Sequence, residues 1–400
     1  MTAITTAEDR EAASGSHLPS HWTVKRLGDI ASVSAGGTPS RAVRAYWDGD
    51  IPWITTSQIG FAKISEGQQF ITKLGLQHSA AKMLPPGCLL MALYGQGKTR
   101  GKVGILGIEA ATNQACAAIV AHPDVVPDYL FHYLASRYNA IRGMSNAGNQ
   151  DNLNGAIVRS IEVVLPPFAE QRSIACALNA TNQLLATLDQ LIEKKRAMKA
   201  GVMQQLLTGR TRLPGFRAEW VTRRLDEIAM IKRGQLLTRA SSRNGNVPVI
   251  AAGLKPAHFH TEANRGPSTI TISASGANAG HVLFHSEPIF ASDCSTIERS
   301  PGYDVLFVYF ALAHRQGAIR ALQVGGAQPH VYPNQLRSLE IAIPDDQTEQ
   351  TAIATVLSSV TAEIDALQMR RDKTNAIREG MTQALLTGRL RLPIKEEALA

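Results

Sequence analysis

The sequence predicts a duplicated α/β (α+β) protein in which two mixed domains alternate with two long helices. Three observations carry this. A stretch near the middle of the chain recurs near its end. Both copies lack proline and place apolar residues three and four apart. The segments before them are glycine-rich, with short β-branched and aromatic runs. With 400 residues, 44% hydrophobic and 18% charged, the chain has material for two or three domains. It has no run of about 18 apolar residues, so no membrane span is expected.

In chain order, a polar leader occupies 1–17, and no basic-then-apolar signal peptide is read there, which points to the cytoplasm. The first mixed domain, 18–167, opens with LPSHWTVKRLGDIA (18–31) and carries β-type runs at 51–55 and 88–93. It closes on VRSIEVVLP (158–166). A helical region, 168–212, runs from Glu170 and Gln171 into LLTGRTRLP (206–214). The second mixed domain, 213–344, opens with LPGF and EWVTRRLDEIA, with runs at 269–273 and 304–311, and closes on LRSLEIAIP (336–344). A second helical region, 345–393, runs from Glu349 and Gln350 into LLTGRLRLP (385–393), and 394–400 form a tail.

The helical regions match without a gap at a constant offset of 179 residues, pairing Ile174 with Ile353, Leu178 with Leu357, Leu188 with Leu367 and Gln204 with Gln383. Leu178, Leu184, Leu185, Leu188, Leu191, Ile192, Met198, Val202 and Leu206 form an apolar stripe. At 1.5 Å per residue, such a stretch makes a rod of about 57 Å. A rod of that length is expected to bury its stripe by coiled-coil pairing between the copies. Gly209 and Gly388, each followed by Arg-x-Arg and a proline, are helix stops. Because the chain ends as its middle does and begins as its middle continues, the sequence is effectively circular. Leu18 is therefore expected near Leu392, with a pseudo-twofold internal repeat.

Forty-one basic against 33 acidic residues give +8, which favours a polyanionic partner without proving one. The excess lies in the first helical region and the second mixed domain. The cluster Lys194, Lys195, Arg196 and Lys199 reads as a solvated helix face, or as a phosphate or partner contact. Cys88, Cys116, Cys176 and Cys294 are too scattered for a zinc ribbon or disulfide framework, and are expected to be reduced and mostly buried.

Candidate catalytic motifs are weak. ALYGQGKT (92–99) fits a loose phosphate-loop pattern, but the following RGKVGILG is β-like where a helix is needed, so a glycine-bent hairpin is the better reading. LPPF (165–168) lacks the Asn or Asp of an amino-methyltransferase motif. His258 with His260, and His281 with His285, lack partnering carboxylates at metal-ligand spacing.

The order of parts now resembles the specificity subunit of type I restriction-modification enzymes, the HsdS family. The resemblance covers about 18–393. Its carriers are LPSHWTVKRLGDIASVSAGGTPSR, YWDGDIPWITTSQI, PPFAEQRSIA and both LLTGR(T/L)RLP strings. The second mixed domain departs from the pattern, with GQLLTRASSRNGNVPVIAAG in place of GGTPS, YW and IPWI. The resemblance implies two target-recognition domains separated by two long antiparallel helices, each domain reading one half of a bipartite site on double-stranded DNA. It implies a non-catalytic chain without cofactor or metal, assembled with two methyltransferase (HsdM) and with restriction (HsdR) subunits. S-adenosylmethionine, ATP and Mg belong to those partners. A stand-alone DNA-binding regulator and a phosphotransferase using Lys98 are the competing readings.

Base-readout chemistry sets Arg or Lys toward guanine, Asn or Gln toward adenine and Ser or Thr toward either, with further cations on phosphates. The expected DNA-contacting residues of the first domain are Thr38, Ser40, Arg41, Arg44, Lys98, Thr99, Arg100, Lys102, Gln150 and Asn152. Those of the second are Arg233, Gln235, Arg239, Arg243, Asn244, Asn246, Ser275, Asn278, His281, Gln328 and His330. The Gln171 and Gln350 helix starts, the two LLTGR ends and the helix faces outside the coiled-coil seam are expected to dock the methyltransferase.

Overall fold

A computed structural model describes residues 18–95, 97–144, 152–238, 240–298 and 300–393. The 1–17 leader, the 394–400 tail and the expected contact residues Gln150 and Arg239 lie outside the described residues. The chain forms two units, 1–187 with 371–400 and 188–370, so each long helix contributes to both.

The first unit holds a five-stranded sheet in the order Ala31–Ala35, Cys116–Ala121, Leu89–Ala92, Val103–Leu106, Lys63–Ile64. A second sheet places Trp47–Ile54 between antiparallel Phe70–Ile71 and parallel Ala111–Thr112. The central strands are buried on both faces, and hence read as continuous apolar runs instead of alternating ones. The opening segment, Thr23–Arg26, pairs antiparallel with the closing one, Glu162–Leu165.

The second unit repeats this plan. Its four-stranded sheet runs Ile231–Arg233, Cys294–Ile297, Thr269–Ser273, Val282–His285. Val247–Ile250 lies between antiparallel His258–His260 and parallel Phe290–Ala291. Trp220–Arg224 pairs with Glu340–Pro344. The divergent 234–253 segment therefore carries the same strand as the first unit, and NGNVPVI aligns with DGDIPWI. Gly49 and Gly245 occupy equivalent turns, where a Cβ would fall within 2.6 Å of Ile71 O and 2.3 Å of His260 O respectively.

The 304–311 run, β-like by composition, is instead a helix, Val305–His314, capped by Asp304 accepting from Phe307 N at 2.9 Å. It is apolar almost all round because it is packed within the unit's core.

The long helices are α1 (Phe168–Leu206) and α2 (Gln347–Leu386). In the first unit the start of α1 and the end of α2 share a core through Ile174, Leu178, Leu385 and Leu386. In the second, Leu206, Leu207, Ile353 and Leu357 do the same. Within each unit the helices run antiparallel: Thr181 meets Met381, and Lys195 pairs with Glu363 at 2.5 Å. The buried stripe is narrower than the apolar pattern, since Leu185, Leu188 and Ile192 are buried while Leu184, Leu191 and Met198 stay exposed.

Both helix starts are tied down by the same device. Glu170 is fully buried and accepts from Trp22 Nε1 at 2.9 Å and Arg391 Nε at 2.8 Å. Glu349, also fully buried, accepts from Nε and Nη2 of Arg212, both at 2.6 Å. Leu18 and Leu392 pack on the same core, and the Cβ of an alanine at Gly388 would lie 2.6 Å from Pro19, so the two segments meet as circularity predicts. Gly209 and Gly388 take φ of 67° and 74°, the left-handed conformation that ends a helix.

Candidate nucleic-acid interface

Strand register decides which loops share a surface. In the first unit Ala35 pairs with Ala117, Ala92 with Cys116 and Met91 with Val103. The 36–41 loop, the 93–102 hairpin and the 113–115 bend therefore leave one end of the sheet. In the second unit Arg233 pairs with Ser295, Ser273 with Cys294 and Ile272 with Val282, gathering the 234–238, 274–281 and 292–293 loops in the same way.

In the first unit, Thr38 hydrogen-bonds Gln114. The 36–41 loop is pinned by two indoles, Trp53 Nε1 donating to Gly37 O at 2.9 Å and Trp47 Nε1 to Ser40 O at 3.0 Å. Exposed Arg41 stacks on Trp47 with its guanidinium carbon 3.8 Å from the ring centroid. Arg44 is exposed on a single 3-10 turn before the Trp47 strand. Lys98 is exposed, Thr99 and Lys102 are half-buried, and Lys102 Nζ lies 6.0 Å from the Phe61 ring centroid. Arg100 is buried, and its Nη2 donates to Arg142 O at 3.3 Å, which makes it a strut for the hairpin rather than a surface cation. Leu153 N donates to Leu93 O at 3.0 Å, which brings half-buried Asn152 beside this loop.

The phosphate-loop alternative does not survive the topology. ALYGQGKT lies between antiparallel strands, and Val103–Leu106 stands where a phosphate loop needs a helix.

In the second unit Arg233 and Gln235 are exposed, and Gln235 N donates to Ala291 O at 2.9 Å. Ser275 is buried and donates to Asp293. Gly276 N donates to Pro329 O at 2.9 Å and Ser275 bridges to His330, so the 274–281 and 324–332 loops lie together. Gln328 is exposed, and His330 stacks on Tyr332 at 5.9 Å. Asn278 and His281 are half-buried. Burial, then the charge of Arg320, push the His281 imidazole below its ordinary value.

Arg243, Asn244 and Asn246 stand apart from this group. They precede Val247–Ile250, whose far end meets Ser292. Asn244 lines an open cleft of about 490 Å³ with Ser242, His258 and Phe259.

Sequence reasoning missed Gln114 and Asp293, which hold the sheet-end loops through Thr38 and Ser275, and Gln69, which holds Arg41. The visible signal for the first two was the short match of ATNQAC to ASDC after the parallel strands. The expected docking role of Gln171 and Gln350 is corrected, because both are buried. Gln171 Oε1 accepts from Val126 N and Gln350 Oε1 from Asp304 N, both at 2.8 Å, each serving the N-cap residue of an earlier helix. The leucines of the LLTGR ends are buried as well. The basic cluster on α1 is partly engaged: Arg196 bonds Glu193, and Lys199, its charge disfavoured by burial, lies 5.6 Å from the Phe310 ring centroid.

Burial pushes the Cys88 and Cys294 thiols up to about 12 and Cys116 to about 11, while Cys176 is exposed. His260 Nδ1 accepts from Arg243 N, and His285 bonds Thr271, so both are occupied within the fold. Among the described residues no helix is long and apolar enough to cross a membrane.

Two α/β units with diverged loops at one sheet end, each sharing a pair of antiparallel helices, define a duplicated recognition scaffold. The type I restriction modification DNA specificity domain matches the chain twice, over residues 19–194 and 217–375, and the chain belongs to that family. The MjaIX type I specificity subunit of Methanocaldococcus jannaschii is 29% identical over 187 residues, 45% of this chain, and that match spans only 40% of the relative's length. The MjaVIII specificity subunit of the same organism is 20% identical across 94% of this chain and 95% of its own. The type I restriction-modification S subunit from M. genitalium shares the fold, with a TM-score of 0.69 at 16% identity over 93% of this chain and 97% of that one.

Proposed function

We propose that this chain chooses the DNA sequence on which a type I restriction-modification complex acts. Each unit reads one half of a bipartite site with the loops at its sheet end. The helices act as the spacer between the readers, and half-sites of a two-reader protein commonly lie about one DNA turn, roughly 34 Å, apart. The observation that carries this is the repetition of one scaffold with different side chains at the same loop positions: Lys98, Thr99 and Lys102 in the first unit stand where Ala277, Asn278 and His281 stand in the second. Shared strands with unlike loop chemistry suit two readers of unlike sequence.

The chain works in the cytoplasm and supplies no catalytic centre. It docks two methyltransferase subunits through exposed faces of α1 and α2, where Leu191, Met198, Met369 and Ile377 are open to solvent. Restriction subunits join that core. S-adenosylmethionine, ATP and Mg are used by the partners.

Methylome sequencing of the host with and without this chain tests the reading. Loss of one bipartite methylated-adenine motif is expected when the chain is removed; an unchanged methylome refutes it.

A further inference from the structure

Arg41 is held by an unusual set of partners for an exposed arginine. Its guanidinium carbon lies 3.8 Å from the Trp47 ring centroid and 5.4 Å from that of Trp53, and Nη2 donates to Gln69 Oε1 at 2.8 Å. The platform is itself fixed: the two indoles meet edge to face at 5.1 Å, and each donates to a carbonyl of the 36–41 loop. Gln69 is the one hydrogen-bond partner of Arg41 among the described residues, so its charge is not neutralised by a carboxylate.

An arginine side chain ordinarily gives up much rotamer freedom on binding. Here the plane of the fork is set beforehand by stacking on a ring face, while most of its N–H edge stays open. A phosphate also accepts the planar fork in bidentate fashion, but it can turn to meet the fork from many directions and so gains less from a preset plane. A preset plane is what a guanine edge demands, because O6 and N7 are two coplanar acceptors in the major groove. The second unit lacks the platform, since NGNVPVI places Val249 where DGDIPWI places Trp53.

We propose that Arg41 reads a guanine in the half-site of the first unit, with Trp47 and Gln69 as its positioning residues. This rests on the DNA-specificity reading above and adds to it a named base and a named unit.

The test uses the full chain with its methyltransferase. The methylome first gives the bipartite motif. Arg41→Gln is then expected to relax one guanine position in one half and leave the other half unchanged. Trp47→Leu relaxes the same position, and Trp47→Phe, which keeps a ring face, restores it. With duplexes carrying that motif, 7-deazaguanine at the position removes N7 and leaves pairing and phosphates intact. It is expected to weaken binding between about 5- and 150-fold for the native chain, and to have no further effect on Arg41→Gln. Arg41→Gln weakening all sequences alike identifies a phosphate contact and overturns the guanine assignment while leaving the specificity reading intact. A methylome that never depended on the chain overturns both.

Discussion

Gln171 offers a quantitative test of how the domains are fastened to the helices. Its side chain is buried and makes three bonds: Oε1 accepts from Val126 N at 2.8 Å, and Nε2 donates to Pro166 O at 2.9 Å and Asp124 O at 3.3 Å. Gln171→Ala strands the Val126 N–H, a loss of about 1–3 kcal/mol if water does not enter. The two carbonyls have second lone pairs, and the longer bond is weak, so together they add about 1 kcal/mol. The expected cost is about 2–4 kcal/mol, a large fraction of a typical domain's stability. Gln350→Ala is the internal comparison. It removes only the bonds to Asp304 N and Pro344 O, so it should cost less. Denaturant unfolding gives the energies, and hydrogen exchange at the Val126 and Asp304 amides localises them. A cost below about 1 kcal/mol for Gln171→Ala with unchanged Val126 protection would refute the capping argument.

Other outcomes follow from the same geometry. Glu170→Gln removes the charge that holds both Trp22 and Arg391, so limited proteolysis should cut first near residues 18–22 and 388–393. Gly388→Ala should destabilise by more than about 1 kcal/mol, because φ is positive and the added Cβ meets Pro19, and by more than Gly209→Ala, whose nearest contact is 3.1 Å from Trp220; paired thermal melts check the order. Burial lowers the pKa of His132 and His285 in the folded state below the ordinary 6.5. The unfolded chain therefore binds more protons just below pH 6.5, and stability should fall as pH drops through that window, by at most about 1.4 kcal/mol per pH unit for each histidine. His132→Gln should flatten the slope, and a slope unchanged by it would contradict the assignment.

The sequence showed the large-scale plan because duplication writes it twice: helix starts, helix stops and the approach of residues 18–19 to residues 388–392 all follow from matched strings. It hid features that depend on partners distant in the chain. NGNVPVI looked like a departure from DGDIPWI because a short half-buried strand has no alternation to betray it, and only the sheet register equates the two. The Glu–Gln pairs looked like surface landmarks because charged and amide residues usually lie outside. Their burial becomes legible only when Arg391, Arg212 and the backbone of the earlier helices come within reach. The 305–314 helix was obscured by its own hydrophobicity, which erases the 3.6-residue period. For the loops, residue type suggested contacts, but register was needed to separate Lys98 and Gln328 on open loops from Arg100 and Ser275 in buried supporting positions.

The central claim is that the two units read separate halves of one site. Exchanging residues 213–344 for the corresponding segment of another family member, and sequencing the methylome, tests it most directly. The account predicts a motif with one half changed and the other half and the spacer retained. A motif altered in both halves, or in neither, would contradict it.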